Sequence, residues 1–245
     1  MGRAAAAILA LLTLAFAPRS VPAEMIPAGA FSIVAPGAPL PAPWQPLVFR
    51  NIPRHTRYAL VSRDSVTVLE AQAENAASGV ARPLDIDAKS YPILRWRWKV
   101  ANLIEKSDPT RKSGDDYPAR LYITFRRSSS DASSFDRAWS AMARAFYGVE
   151  PPHAGISYIW ERAVPRGSIL PNAYTDRVRM IVVESGPEKV GQWVAEERNV
   201  YEDYRRAFGE EPPMISGIAL MTDSDNTGGS VTAWYGDISF HRTDQ

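Results

Sequence analysis

The side chains able to do chemistry fall into a few short stretches. Asp115 and Asp116 stand together, shortly before Arg120 and Tyr122. Asp223 and Asp225 share a polar stretch with Asn226, Thr227 and Gly228, and Asp237 follows. Arg95, Arg97 and Lys99 alternate with Trp96 and Trp98. Each pattern suits a recognisable chemistry. Two carboxylates about 5–10 Å apart across a cleft can hydrolyse glycosides. Oxygen ligands at alternate positions suit a hard cation such as calcium. Guanidinium forks grip carboxylates, phosphates and other anionic polymer groups, and carboxylates beside them can hold sugar hydroxyls. Glu161 and Glu184 are further carboxylates in or next to apolar runs, with no stronger claim to a role.

Much other chemistry has no support. The 245 residues include no cysteine. That removes thiol nucleophiles, thiolate zinc sites, iron–sulfur clusters and disulfides. The histidines are His55, His153 and His241, none spaced as a metal pair on a helix. His153 follows two prolines and reads as a loop residue rather than a base. There is no GxSxG nucleophile elbow, GxGxxG fingerprint or P-loop, so nucleotide cofactors have no support. A formal net charge of +1 gives no electrostatic footprint for nucleic acid.

The loop at 223–228 begins like a calcium loop, but the twelfth position is Trp234, so it is not an EF-hand. Two readings stay open. The plainer is a polar hairpin turn. The other is a calcium or sugar-hydroxyl site using Asp223, Asp225 and Asp237. No other cofactor is implied.

The elements that would position these groups are strands. Leu94, Trp96, Trp98 and Val100 alternate with Arg95, Arg97 and Lys99. A period of two sends successive side chains to opposite faces, which predicts a strand with indoles in a core and cations outside. Similar patterns predict strands at 47–49, 57–61, 65–71, 76–82, 119–125, 156–160, 178–184, 192–196, 215–222 and 231–241, with a short strand or loop at 168–174. On 119–125, Leu121, Ile123 and Phe125 form one face, and Arg120, Tyr122 and Thr124 the other. Turn signals about every 10 residues point to a sandwich or barrel. Two helices are expected: 134–147, with an aromatic stripe at helical spacing, and 200–208, ended by Gly209 and followed by Pro212 and Pro213. The expected fold is all-β, a jelly-roll-like antiparallel sandwich with one or two peripheral helices.

Residues 1–23 read as a secretory signal peptide: Arg3, an apolar run from 4 to 17, then Val21, Pro22 and Ala23 as a small-residue cleavage site. Residues 24–46 are Pro-rich and read as an extended strap over the core, with one edge strand at 30–34. Residues 47–245 read as one domain. No later stretch is long and apolar enough to span a membrane. The expected location is periplasmic or extracellular.

The run Tyr91-Pro-Ile-Leu-Arg-Trp-Arg-Trp, the segment Asp115-Asp-Tyr-Pro-Ala-Arg-Leu-Tyr, and Ile218-Ala-Leu-Met-Thr-Asp-Ser-Asp-Asn-Thr-Gly with Trp234-Tyr-Gly-Asp-Ile resemble the bacterial domain of unknown function 3047 family. The resemblance covers nearly the whole mature chain and implies an exported protein, with no activity or catalytic residue to carry over. The closing pattern also looks like the last strand of jelly-roll carbohydrate-binding modules.

The leading expectation is an exported, non-catalytic protein that binds a glycan or other cell-envelope polymer. Its binding face would unite Arg95, Arg97, Asp115, Asp116, Arg120 and Tyr122, provided that the strands at 93–100 and 119–125 are neighbours. The plainer reading of that face is a salt-bridged outer sheet surface. The alternatives are a polysaccharide hydrolase or lyase using Asp115 or Asp116, and a periplasmic assembly partner. The oligomeric state is unspecified.

Overall fold

The computed structural model describes residues 24–126 and 153–243. The expected signal peptide at 1–23 and the expected helix at 134–147 lie outside them. Thirteen strands form two stacked sheets. The first contains β1 (Met25–Gly29), β3 (Arg57–Arg63), β4 (Val66–Glu74), β6 (Ile93–Val100), β11 (Val194–Asn199) and β13 (Ser230–His241), in the order β11-β6-β13-β4-β3, with β1 also on β13. The second contains β2 (Gln45–Leu47), β5 (Ala77–Ile86), β7 (Arg120–Phe125), β8 (Ala154–Glu161), β9 (Ile169–Pro171), β10 (Val178–Ser185) and β12 (Ile215–Asp223), in the order β2-β5-β12-β7-β8-β10-β9. This is a β-sandwich of jelly-roll type. All pairs are antiparallel except β8 with β10.

The alternation along β6 works as the sequence implies. Leu94, Trp96, Trp98 and Val100 are buried, and the cations between them face away. The indoles meet residues of β8 on the opposite sheet. The rings of Trp96 and Tyr158 lie 5.3 Å apart, and those of Trp98 and Trp160 6.1 Å apart. Each such pair is worth about 0.5–1.5 kcal/mol beyond its area burial. These contacts fix how the two sheets stack.

Helix α1 (Val200–Phe208) packs at one end. The Asn199 side chain accepts from the Glu202 amide, and Gly209 ends the helix in the left-handed region at φ +76°. Tyr204 turns inward, its ring 4.5 Å from Phe125. Among the described residues, no helix is long and apolar enough to cross a membrane.

The Pro-rich segment differs in detail from expectation. The edge strand expected at 30–34 is a short 3-10 turn, Phe31–Ile33, and the strand lies earlier, at β1. Phe31 and Trp44 are buried with rings 5.5 Å apart, so apolar anchors hold the part of the segment between the paired strands β1 and β2.

Two sheet assignments overturn the expected neighbours. β6 is in the first sheet and β7 in the second, so Arg95 and Arg97 do not share a face with Arg120 and Tyr122. β12 and β13 are also in opposite sheets, so the 223–229 stretch crosses between sheets instead of closing a hairpin. The connections β4–β5 and β6–β7 make the same crossing. The three arches meet at one end. The Ser224 amide donates to Ala76 O at 2.9 Å, and the Asn75 amide to Gly229 O at 2.8 Å. Asn75 sits at φ +47°, a region that Asn tolerates better than most residues.

Candidate functional site

The meeting point of the arches gathers four carboxylates around one guanidinium. Arg120 opens β7 and is only 2% exposed. An arginine has five N–H donors, and a buried one must place them all. Nε donates to Asp223 Oδ1 at 2.9 Å, and Nη2 to Asp223 Oδ2 and to the Asp115 carbonyl. Nη1 donates to Asp115 Oδ2 at 3.3 Å and to the Tyr122 hydroxyl at 3.2 Å. The guanidinium lies 4.3 Å from the centre of the Tyr117 ring. Burial works against its charge, but Asp115 and Asp223 hold its pKa well above the ordinary value. Burial pushes Asp223 up to about 8, against the pull of Arg120 and with further push from Asp116.

Asp116 is fully buried and binds the neighbouring arch. Its Oδ1 accepts from the Asn226 amide and from Asn226 Nδ2, both at 3.2 Å, and its Oδ2 accepts from the Thr227 amide at 2.7 Å. Asp225 completes the group: oxygens of Asp116, Asp223 and Asp225 lie within 4.8 Å of one another. Burial and the adjacent Asp116 raise the Asp225 pKa. Below, Tyr235 ties the cluster to the first sheet, its hydroxyl donating to Met221 O at 2.8 Å and accepting from the Arg120 amide at 3.4 Å.

Asp237 does not join this group. It lies seven residues along β13 from Ser230, about 23 Å at a strand's rise of 3.3 Å per residue. There it accepts from the Ser32 amide at 2.9 Å. Asp116 takes the third place expected of Asp237. The sequence carried one signal for this, the polar stretch ending in Asp115 and Asp116, but the partner stretch lies more than 100 residues away.

A groove of about 680 Å³ opens beside the cluster. One wall is the 105–113 arch, where Asp108 Oδ1 accepts from the Thr110 amide and hydroxyl at 2.9 and 2.6 Å. Gly114 permits this fold-back, because a Cβ there would lie 2.7 Å from the Asp108 amide nitrogen. The other wall is residues 161–164, where Glu161 accepts from the Ala163 and Val164 amides. Asn226 and Thr227 belong to both groove and cluster. Eleven of the fourteen lining residues are polar or charged. Tyr174, 44% exposed, stands by the groove with its hydroxyl 3.1 Å from Asn226 Oδ1. Sequence patterns did not single out Tyr174, Asp108 or Arg162.

Arg95 and Arg97 occupy a different surface. Arg95 pairs with Glu197 at 2.6 Å, both about half exposed, and Arg97 lies over the Trp193 ring at 4.7 Å. With Asp237 and Ser239 they line a depression of about 360 Å³. Gly236 lets Arg97 lie flat there: a Cβ would come within 2.5 Å of its Cγ. At the margin, buried Glu196 is pushed up to about 7 by burial, against Arg166 and with help from Glu184.

The family model described as protein of unknown function (DUF3047) matches residues 42–239. The chain belongs to that family. The three motifs around Trp96, Asp116 and Asp223 all fall inside the matched span of this DUF3047 chain. No curated protein matches it. Among solved structures it is similar to the family 11 carbohydrate-binding module of the cellulosomal cellulase Lic26A-Cel5E of Clostridium thermocellum, with 12% identity over 89% of this chain and 95% of that one and a TM-score of 0.42. The family 30 module of cellulase Cel9D-Cel44B of the same organism gives 10% identity over 82% and 95%, TM-score 0.40. The xyloglucanase domain of NopAA from Sinorhizobium fredii gives 8% over 82% and 97%, TM-score 0.40. These likenesses are of overall architecture, and function is argued from the residues.

Proposed function

We propose that this DUF3047 protein is exported and binds a glycan or other cell-envelope polymer without catalysis, in the groove at the arched end of the sandwich. The carrying observation is the groove itself. It is open, sized for several sugar units, and walled by carboxylate, hydroxyl, amide and guanidinium groups such as Asp108, Thr110, Arg111, Arg162 and Asn226. Polyhydroxylated ligands need many oriented hydrogen-bonding groups, whereas drug-like apolar ligands need hydrophobic walls. Export rests on the sequence of residues 1–23.

Asp115 and Asp116 support this reading differently from the way the sequence implied. Both are buried and bonded to Arg120 or to arch amides, so they shape the groove from behind. Neither lines the groove, where a hydrolytic carboxylate, Asp115 or Asp116 with a second one, would have to stand.

Titration calorimetry of the full chain against a panel of soluble envelope and plant polysaccharides tests the proposal. At least one should bind, and Arg111→Ala with Arg162→Ala should weaken it tenfold or more, since both side chains are exposed on the groove walls. Flat traces throughout, or unchanged affinity in the double variant, would overturn it.

A further inference from the structure

We propose that Asp116, Asp223 and Asp225 hold one calcium ion where the arches meet. Three neighbouring carboxylates do not by themselves make a cation site. The second observation is a set of stranded oxygens in the same segments. Asp115 Oδ1, Ser224 Oγ, Thr227 Oγ1 and the Tyr117 hydroxyl are all buried without a hydrogen-bond partner among the described residues. Asp115 is 4% exposed and Ser224 and Tyr117 fully enclosed. Four of the eleven such atoms among the described residues thus come from the two segments, 115–117 and 224–227, that carry or adjoin these carboxylates. A polar atom buried without a partner has lost its hydration uncompensated, so four in these two segments point to a missing partner.

The chemistry of that partner follows from the atoms. Every donor is oxygen, with no imidazole or thiolate nearby, which selects a hard cation over zinc or copper. Four carboxylates face a single guanidinium, leaving the enclosure negative. Two oxygens each about 2.4 Å from one calcium can lie up to about 4.8 Å apart, and oxygens of Asp116, Asp223 and Asp225 all lie within 4.8 Å of one another. Magnesium demands near-ideal octahedral geometry and gives up its waters reluctantly, so a buried set of protein oxygens suits calcium better. Asp116 Oδ2 and Asp223 Oδ2 each accept a single N–H group among the described residues and so keep a lone pair for the ion. Asn226 and Thr227, held by Asp116, also line the groove, so the ion would set the groove's floor. The inference goes beyond polymer binding and does not rest on it.

The test uses the full chain after dialysis against EDTA, titrated calorimetrically with calcium chloride and, separately, magnesium chloride. One calcium should bind, at least tenfold tighter than magnesium. At a hundredfold excess over Kd, Tm should rise by about 5–10 °C. Asp225→Asn keeps the side-chain shape and breaks no ion pair among the described residues, so it should fold, as circular dichroism would show, and bind calcium at least tenfold more weakly. Absence of both calcium heat and a Tm shift would mean that water alone satisfies these oxygens. Unchanged affinity in Asp225→Asn would place the ion elsewhere, and magnesium binding as tight as calcium would overturn the assignment. No polymer is involved, so failure here leaves polymer binding standing and the reverse also holds.

Discussion

Arg120 and Arg95 are both arginines on strand faces turned away from the main core, yet they live in opposite conditions. Arg120 is sealed at 2% exposure with all five donors placed. Arg95 is half exposed, with one partner that is equally exposed. The difference comes from what crosses above each strand. Three inter-sheet arches converge over the start of β7, shutting out water, and two of them bring carboxylates, Asp115 and Asp116 from one and Asp223 and Asp225 from the other. Arg95 has strand neighbours beside it, Glu197 of the edge strand β11 and Ser239 of β13, and its half-exposed side chain is left for water to screen. Enclosure makes a charge costly to strand and therefore specific in its partners, while exposure makes it cheap and replaceable.

Breaking the enclosed pair should show this most strongly. Arg120→Ala leaves Asp223 and Asp115 buried without their counter-charge and should cost about 3–5 kcal/mol in urea unfolding. A loss below about 1 kcal/mol would mean that the cluster is wetter than its geometry implies.

Next is the group at the margin of the open face. The Glu196 pKa is about 7 in the folded chain against 4.5 ordinarily. The folded state keeps this proton longer than the unfolded one, so the contribution is full below pH 4.5 and is lost as pH rises through 7. Stability should fall by up to about 3 kcal/mol across that window relative to Glu196→Gln. Parallel pH profiles of wild type and variant would contradict it.

Asp116→Ala, measured in EDTA, should cost about 2 kcal/mol, because the Asn226 and Thr227 amides lose a charged acceptor. Arg95→Ala should be smallest, about 0.2–1 kcal/mol, and a larger loss would show that the open face is not as open as it looks.

What the sequence revealed divides along the same line. Strand β6 was legible with both faces, because alternation is local and needs no knowledge of neighbours. Helix α1 was legible through its end at Gly209 and the prolines beyond. The enclosed cluster was legible only in part. Asp115, Asp116, Arg120, Asp223 and Asp225 stood out as chemistry, but their assembly depends on β7 pairing with β12, where Arg120 meets Met221 across about 100 residues of chain. No local pattern encodes that register. The same gap left open whether Arg95 and Arg97 share a face with Arg120 and Tyr122, which lie on the other sheet, and brought Asp237 into a cluster that it does not join. The bulge between Tyr235 and Ile238 hid its direction further, since it shifts the inward phase of β13 part-way along the strand.

The most direct measurement sets the two regions against each other for polymer binding. Arg111→Ala with Arg162→Ala removes side chains from the enclosed end's groove, and Arg95→Ala with Arg97→Ala strips the open face. Titrated calorimetrically with the polysaccharide that binds wild type best, the first pair should lose affinity at least tenfold and the second should stay within about twofold. Binding lost in the second pair and kept in the first would contradict the account.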